Sequence, residues 1–281
     1  MNHKGNSRRT KLLLFSALAV QLAAAWSMPQ LSAAPPDNGN DNAPLQVGYV
    51  VVTPATTPEN IAVFETFGER HGGQTLQAGI LPSAMTTHAV LFVNTSGRLS
   101  RNVGVAIANP GSDPAEIGLA LYGEDGKLLA DYASSNDPLV LAPGEQVAKY
   151  VTELFESEPD VQRDFAGTLH LTSNVPVAVL GIRARGINFS TLPATSVSGP
   201  SENSTAIVLA HFAVGGGWAT EIVIANTGPS DIEVRVDLFK QDGTPLEVRL
   251  NDLTDSSFTV PVLAHGVATL APRDGNGDSD F

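Results

Sequence analysis

The chain has 281 residues, with 16 Lys and Arg against 29 Asp and Glu, and no Cys. An acidic field of that size disfavours nucleic acid and anionic membrane surfaces as partners, and the lack of Cys excludes disulfides, thiol nucleophiles and cysteine metal sites. Stability therefore has to come from burial, and the length allows two cores of ordinary domain size.

Residues 1–33 read as a secretory signal. Lys4, Arg8, Arg9 and Lys11 make a basic start, an apolar run extends from Leu12 to about Ala25, and small residues offer cleavage after Ala25 or Ala33. The run falls short of the roughly 18 to 20 residues of a membrane span, and no later segment comes closer. A secreted or cell-surface protein is expected, with the periplasm as the alternative and general secretion favoured over the twin-arginine route that Ser7-Arg8-Arg9 suggests. Without the signal, 12 Lys and Arg face 29 Asp and Glu, a net charge of −17. Residues 34–46 carry too little apolar surface to fold and read as a disordered tether.

From there the pattern is strand after strand. Val103 to Ala108 and Ile117 to Tyr122 alternate along the chain, and Val50, Val52, Val63, Leu169, Leu171, Val177 and Val179 continue the period-2, β-branched theme. Asp125-Gly126 and Asp242-Gly243 each follow an alternating run and precede another, where a type I′ hairpin turn is expected. One short helix is expected near Val151 to Ser157, with Thr152 as its cap and Glu153 and Glu156 on its solvated face. Thr195 to Thr205, rich in Ser, Gly, Pro and Asn, reads as an exposed linker that spans at most roughly 36 to 40 Å.

The alternation is duplicated. Residues 103–129 align without a gap to 220–246. Ile107, Ala108, Asn109 and Gly111 recur as Ile224, Ala225, Asn226 and Gly228; Glu116, Leu121, Asp125, Gly126 and Leu129 recur as Glu233, Leu238, Asp242, Gly243 and Leu246. A weaker match joins Gly48, Val50, Val52 and Thr53 to Gly167, Leu169, Leu171 and Thr172, then Ile61-Ala62-Val63 to Val177-Ala178-Val179, then Leu81-Pro82 to Leu192-Pro193. Residues 85–194 therefore form one complete β-sandwich, 47–84 resemble only its last strands, and 206–272 only its first. A half-sandwich would leave sheet edges open, so residues 47–84 are expected to pack with 206–272 as a second sandwich built from both chain ends. The alternatives are completion by a neighbouring chain, an oligomer held by strand exchange, or a truncated gene.

Five elements carry a family resemblance: Gly215-Gly216-Gly217-Trp218, the Ile-Ala-Asn-x-Gly element, the Asp-Gly dipeptide, Leu141-Ala142-Pro143-Gly144 with Leu263-Ala264-His265-Gly266, and the Val-x-Val then Leu-Pro ending. Over nearly all of its mature length the chain resembles the tandem β-sandwich repeats of secreted bacterial proteins. The resemblance implies an all-β, immunoglobulin-like or fibronectin-like fold and no catalytic residues. Its motifs specify a repeat type rather than an activity.

Candidate sites are few. None of His3, His71, His88, His170, His211 and His265 forms the i, i+4 pair of a zinc helix, and alternation places His170 on the face opposite Leu169 and Leu171. No nucleophile elbow, zinc-protease helix or phosphate loop occurs, and Glu65, Glu69, Glu153 and Glu156 read as surface acids. Phe64, Phe67, Phe92, Phe165, Phe189, Phe212, Phe239 and Phe258 fall in strand patterns and read as core, while Trp26 leaves with the signal or lies in the tether. Trp218, after three glycines, either covers the end of a core or presents its indole to a sugar. Asp274, Asn276, Asp278 and Asp280 alternate oxygen donors as the first positions of a calcium loop do, but Ser279 takes the place of Gly and no bidentate Glu follows, so a soluble acidic tail without a cofactor is the simpler reading. These features favour a secreted, non-enzymatic structural or adhesive module whose partner is an extracellular protein or polysaccharide. A carbohydrate-binding module is the alternative, ahead of an exported hydrolase.

Overall fold

The computed structural model describes residues 47–53, 61–71, 74–132, 139–197 and 206–273. The fold is all-β and antiparallel. The chain opens with a hairpin of β1 (Glu65–His71) and β2 (Gln74–Ile80). A central module follows: β3 (Thr86–Ser96), β4 (Arg101–Ala108), β5 (Ala115–Gly123), β6 (Leu128–Asp131), β7 (Leu139–Leu141), β8 (Gln146–Tyr150), short helices α1 (Val151–Leu154) and α2 (Pro159–Arg163), β9 (Asp164–Arg185), β10 (Asn188–Pro193) and β11 (Thr195–Ser196). The C-terminal module contains β12 (Ile222–Ala225), β13 (Ile232–Asp237), β14 (Val248–Leu250), β15 (Leu253–Asp255), β16 (Ser257–Val262) and β17 (Val267–Leu270).

β9 organises the central module. Its first half lies between β3 and β5, and its second half between β4 and β10, so one 22-residue strand serves both layers and ties nine strands into one hydrogen-bonded system. Asn174, in the middle of β9, accepts from the Glu116 amide at 2.8 Å and holds the start of β5 in register. Period-2 alternation turns Leu169, Leu171, Val177 and Val179 inward, where they meet Leu91, Val93, Ile107, Ile117 and Leu119 in one core.

The C-terminal module has its own smaller core around Leu250, Phe258, Val260 and Val262. Its ribbons stay separate. β12 pairs with β17, β13 with β16 and β14 with β15, and among the described residues no strand joins the three.

The Ile-Ala-Asn-x-Gly elements do the same work in both modules. Asn109 Nδ2 donates to the carbonyls of Asp113, Leu141 and Ala142 while its Oδ1 accepts from the Gly111 amide. Asn226 Nδ2 donates to Ser230, Val262 and Leu263, and its Oδ1 accepts from Gly228. A buried amide that satisfies loop carbonyls in this way holds a strand end against the neighbouring turn, which accounts for the recurrence of Asn at that position.

Several local expectations change. Gly126 and Gly243 have φ of 75° and 83°, but Asp125 and Asp242 stay at negative φ, so the hairpins are type I turns followed by a left-handed Gly rather than type I′. The matching bonds are Gly126 N–H to Gly123 O and Gly243 N–H to Lys240 O, both 3.0 Å. The helix expected over Val151 to Ser157 ends at Leu154, and its cap residue is Tyr150, whose amide donates to Glu153 at 2.7 Å; Thr152 instead accepts from Asn102. Thr195 and Ser196, read as linker, pair with Val90 and Ala89 of β3 because a free β3 edge lies within reach of the chain leaving β10.

Residues 47–84 are also differently placed. In this chain, every described hydrogen bond and ring contact leaving them goes to the central module. Phe67 stacks on Phe189 at 5.0 Å, Thr191 donates to the Gly79 carbonyl, and Ser83 donates to the Val179 carbonyl. The exposed side of β10 offers a hairpin a platform adjacent in space, which packing on residues 206–272 does not match within one chain.

Candidate functional site: open strand edges and the module junction

Each β12 and β13 residue has an aligned counterpart in β4 or β5, so the two modules can be compared edge by edge. β4 is paired on both sides, by β8 and by β9, and β5 by β7 and β6 on one side and by β9 on the other. β12 and β13 keep only the partner on the first side. Among the described residues, the edge that β9 covers in the central module is open in the C-terminal one.

The side chains report the same difference. Ile107, Ile117 and Leu119 are fully buried, whereas their counterparts Ile224, Val234 and Val236 are half-buried. The run entering the module is barer still, with Ile207 92%, Val208 82% and Leu209 66% exposed. In the central module the entering strand is β3, buried against β9. An open strand edge is a template for an added strand, and an exposed apolar run is a surface that a partner can cover.

In the segment whose sequence matches β9, the described residues 47–53 and 61–64 form no strand. Residues 47–53 lie over the outer side of the central module with Val50 77% exposed, and with Val63, Phe64 and Met85 they line an open pocket of about 940 Å³ shared with Ala106, Ala108 and Leu180.

Beside the open edges the two modules meet. The Asp125-Gly126 turn presses against residues 263–267: the Val267 amide donates to the Glu124 carbonyl at 3.0 Å, and Tyr122 stacks on His265 with ring centres 5.2 Å apart. His170 completes this cluster, 4.8 Å from Tyr122 and 6.3 Å from His265, with His88 behind it at 6.1 Å and Thr168 Oγ1 within 3.1 Å of its Nε2. Alternation points His170 away from the core as expected, but that face is covered by the C-terminal module and the residue is only 8% exposed. No group of three His, Asp or Glu able to hold a metal occurs among the described residues.

Burial, reinforced by His88 and His265, lowers the His170 pKa to about 4. Between pH 6.5 and 4 the folded protein therefore holds fewer protons at this site than the unfolded chain, and stability falls as the pH drops through that window. A displacement from 6.5 to about 4 corresponds to a loss of at most about 3 kcal/mol across that window. Denaturant midpoints between pH 7 and 4 are expected to fall accordingly in the parent protein and to flatten over that range in His170→Phe, which retains a ring against Tyr122 without the titrating group. Equal slopes in both proteins would contradict the assignment.

A polar cleft of about 330 Å³ lies on the other side of the junction, lined by Arg98, Arg101, Glu124, Asp164 and Glu221. With its amide oxygen turned toward the guanidinium groups, Asn94 accepts from Arg101 at 2.7 Å and Arg183 at 3.1 Å, and Arg183 reaches Glu221 across the junction at 3.6 Å. Burial, together with Arg183 and Arg185, pulls the Arg101 pKa below its ordinary value. These charges clamp the modules together.

Trp218 does not cover a core. It stands 72% exposed at the end of a Gly215–Trp218 turn whose glycines have φ of 87°, 61° and 87°, a backbone that only Gly adopts without strain. Phe64 and Phe239, read as core from their strand patterns, are exposed as well, Phe64 because its segment is unpaired and Phe239 because it lies beyond the end of β13. Glu65, Glu153 and Glu156 are surface residues as expected, while Glu69 is half-buried near Tyr150. Burial, with Glu153 and Glu69 nearby, pushes the Tyr150 phenol up to about 12. The signal, the tether and the candidate calcium ligands Asp274, Asn276, Asp278 and Asp280 lie outside the described residues. No described helix is long and apolar enough to cross a membrane.

No family model and no curated protein matches the sequence. Among solved structures, the crystal structure of PBSX exported protein XepA aligns with 80% of this chain and 93% of its own, at 12% identity and a TM-score of 0.18, too slight a similarity to carry an argument.

Proposed function

We propose that the chain is an exported, non-catalytic β-sandwich protein that serves as a structural or adhesive interaction module at the cell exterior. The observations that carry this reading are the edges of β12 and β13, open among the described residues, and the exposed Ile207–Leu209 run, features suited to binding an extended segment. Export rests on the basic and apolar pattern of residues 1–33, and an acidic, Cys-free mature chain suits an extracellular setting.

Two measurements test it. Fractionation of cells producing the full chain should recover a form shortened by the signal outside the cytoplasm, and retention of the intact chain inside contradicts export. Beads coated with the mature chain should be retained on cell-envelope material more strongly than beads coated with an Ile207→Asp/Leu209→Asp variant; equal retention removes the surface from the account.

The exposure of Trp218 supports a second reading, carbohydrate binding through an indole presented on a glycine turn. On a glycan array that reading requires a signal that Trp218→Ala weakens by about tenfold or more. An array blank for the parent protein discards it.

A further inference from the structure

Resting on the interaction-module reading, we infer that the partner at the open edges is a second copy of this chain, which inserts its residues 48–53 and 62–65 where β9 would lie.

The central module shows what fills such a groove. β9 runs beside β5 through 167–173 and beside β4 through 178–185. The only other stretch of sequence that repeats this strand is the N-terminal one, with Gly48, Val50, Val52 and Thr53 for Gly167, Leu169, Leu171 and Thr172, and Ala62 and Val63 for Ala178 and Val179. The groove without its strand and the strand without its groove occur in the same molecule.

The registers transfer residue by residue. Leu119 faces Leu171 and Leu121 faces Leu169, so Val236 would face Val52 and Leu238 would face Val50. Ile107 faces Val179 and Ala108 faces Ala178, so Ile224 would face Val63 and Ala225 would face Ala62. Apolar residues then meet apolar residues at each of these positions. One-residue slips would turn the valines outward, which fixes the register.

Within one chain, the donor is occupied elsewhere. Residues 65–80 are seated on β10 and the central module, and they carry 47–53 and 61–64 with them. Among the described residues the outer edge of β1 has no ladder partner, and the transferred register brings a second copy's β12 onto residues 62–65, which end where β1 begins, so the hairpin stays seated. Residues 47–53 and 61–64 have to move, and they leave the open pocket that they line. Reciprocal exchange closes the edges of both copies and gives a closed dimer rather than a fibre.

Gly48 supplies a selective probe. At Gly167 an added Cβ would lie 2.0 Å from the Tyr122 carbonyl, whereas at Gly48 in the single chain nothing lies within 4 Å. Gly48→Val therefore leaves the single chain untouched but would collide with the Phe239 carbonyl once inserted. Val50→Asp/Val52→Asp is similarly silent in the single chain, because both valines are largely exposed, and would place two carboxylates in the groove.

The test is the solution mass of the mature full-length chain by light scattering and sedimentation from about 1 to 100 µM, with amide exchange of β12 and β13 measured on the same samples. The expected result is twice the chain mass at the upper end, with the edge amides gaining protection as the dimer forms. Gly48→Val and Val50→Asp/Val52→Asp should remain monomeric throughout, with the thermal transition of the central module unchanged. A wild-type chain that stays monomeric at 100 µM overturns the inference, and so does a dimer that both variants retain. Rejection of the second copy and rejection of the surface give different results. A monomer with unprotected edges rejects the second copy but leaves the surface to another partner. A monomer with protected edges, whose protection Val50→Asp/Val52→Asp removes, means closure within one chain and rejects the surface as an interaction site altogether.

Discussion

Gly126→Ala is expected to lower the stability of the central module by about 3 kcal/mol and to release the two modules from each other, while the same change at Gly243 costs about 1 kcal/mol. Both glycines occupy the same left-handed position of the same kind of turn, with φ of 75° and 83°. The conformational cost to Ala is therefore shared, about 1 kcal/mol. The difference comes from what surrounds them. A Cβ on Gly126 would sit 1.9 Å from the Ala264 carbonyl and 3.1 Å from the Gly266 amide, whereas one on Gly243 meets nothing within 4 Å. Backbone cannot yield as a side-chain tip does, so the 263–267 turn has to withdraw. Its withdrawal breaks the Val267–Glu124 bond and separates Tyr122 from His265. Chemical denaturation of both variants, with proteolysis between residues 197 and 206 as the report on uncoupling, checks the pair. Equal effects would mean that the junction is not a packed contact.

The second large effect is at the strand that unites the central module. Leu171→Ala should cost about 3 to 5 kcal/mol, because Leu171 is fully buried at the centre of the core where β3, β5 and β9 meet. Its sequence counterpart Val52 is more than half exposed in the single chain, and Val52→Ala there should change stability by less than about 0.5 kcal/mol. Two aligned positions of one repeated segment thus differ several-fold in energetic weight, according to whether the groove is filled. Thermal melts of the two variants at a concentration where the protein is monomeric give the comparison directly. A large loss at Val52 in the monomer would show that the segment is already buried.

Much of this architecture is legible in the sequence because its causes are local. Alternation in Val103 to Ala108 and Ile117 to Tyr122 turned the expected residues inward, since a strand's side-chain period does not depend on its partners. The recurrence of Asn109 as Asn226 marked one bracket used twice, although its function became visible only with the carbonyls it satisfies. The recurrence of Asp-Gly marked two turns but not their type, because a left-handed Gly satisfies either geometry. His170 shows where the reading stops. Its alternation gave the face correctly, but what covers that face comes from a turn 95 residues further along the chain. Exposure of Trp218 and Phe239 was hidden for the same reason, since a strand pattern implies burial only where another layer arrives. The docking of β1 and β2 on β10 depends on a platform built by distant residues, and repeat matching pointed to a different surface.

Amide hydrogen exchange of a dilute, monomeric sample is the most direct measurement of the central claim, that the C-terminal module carries the edges of a strand it does not possess. The amides of β4 and β5 should be uniformly protected, being paired on both sides, whereas in β12 and β13 protected amides facing β17 and β16 should alternate with fast-exchanging ones facing the open edge. Uniform protection of β12 and β13 in the monomer, to the level of β4 and β5, would contradict it.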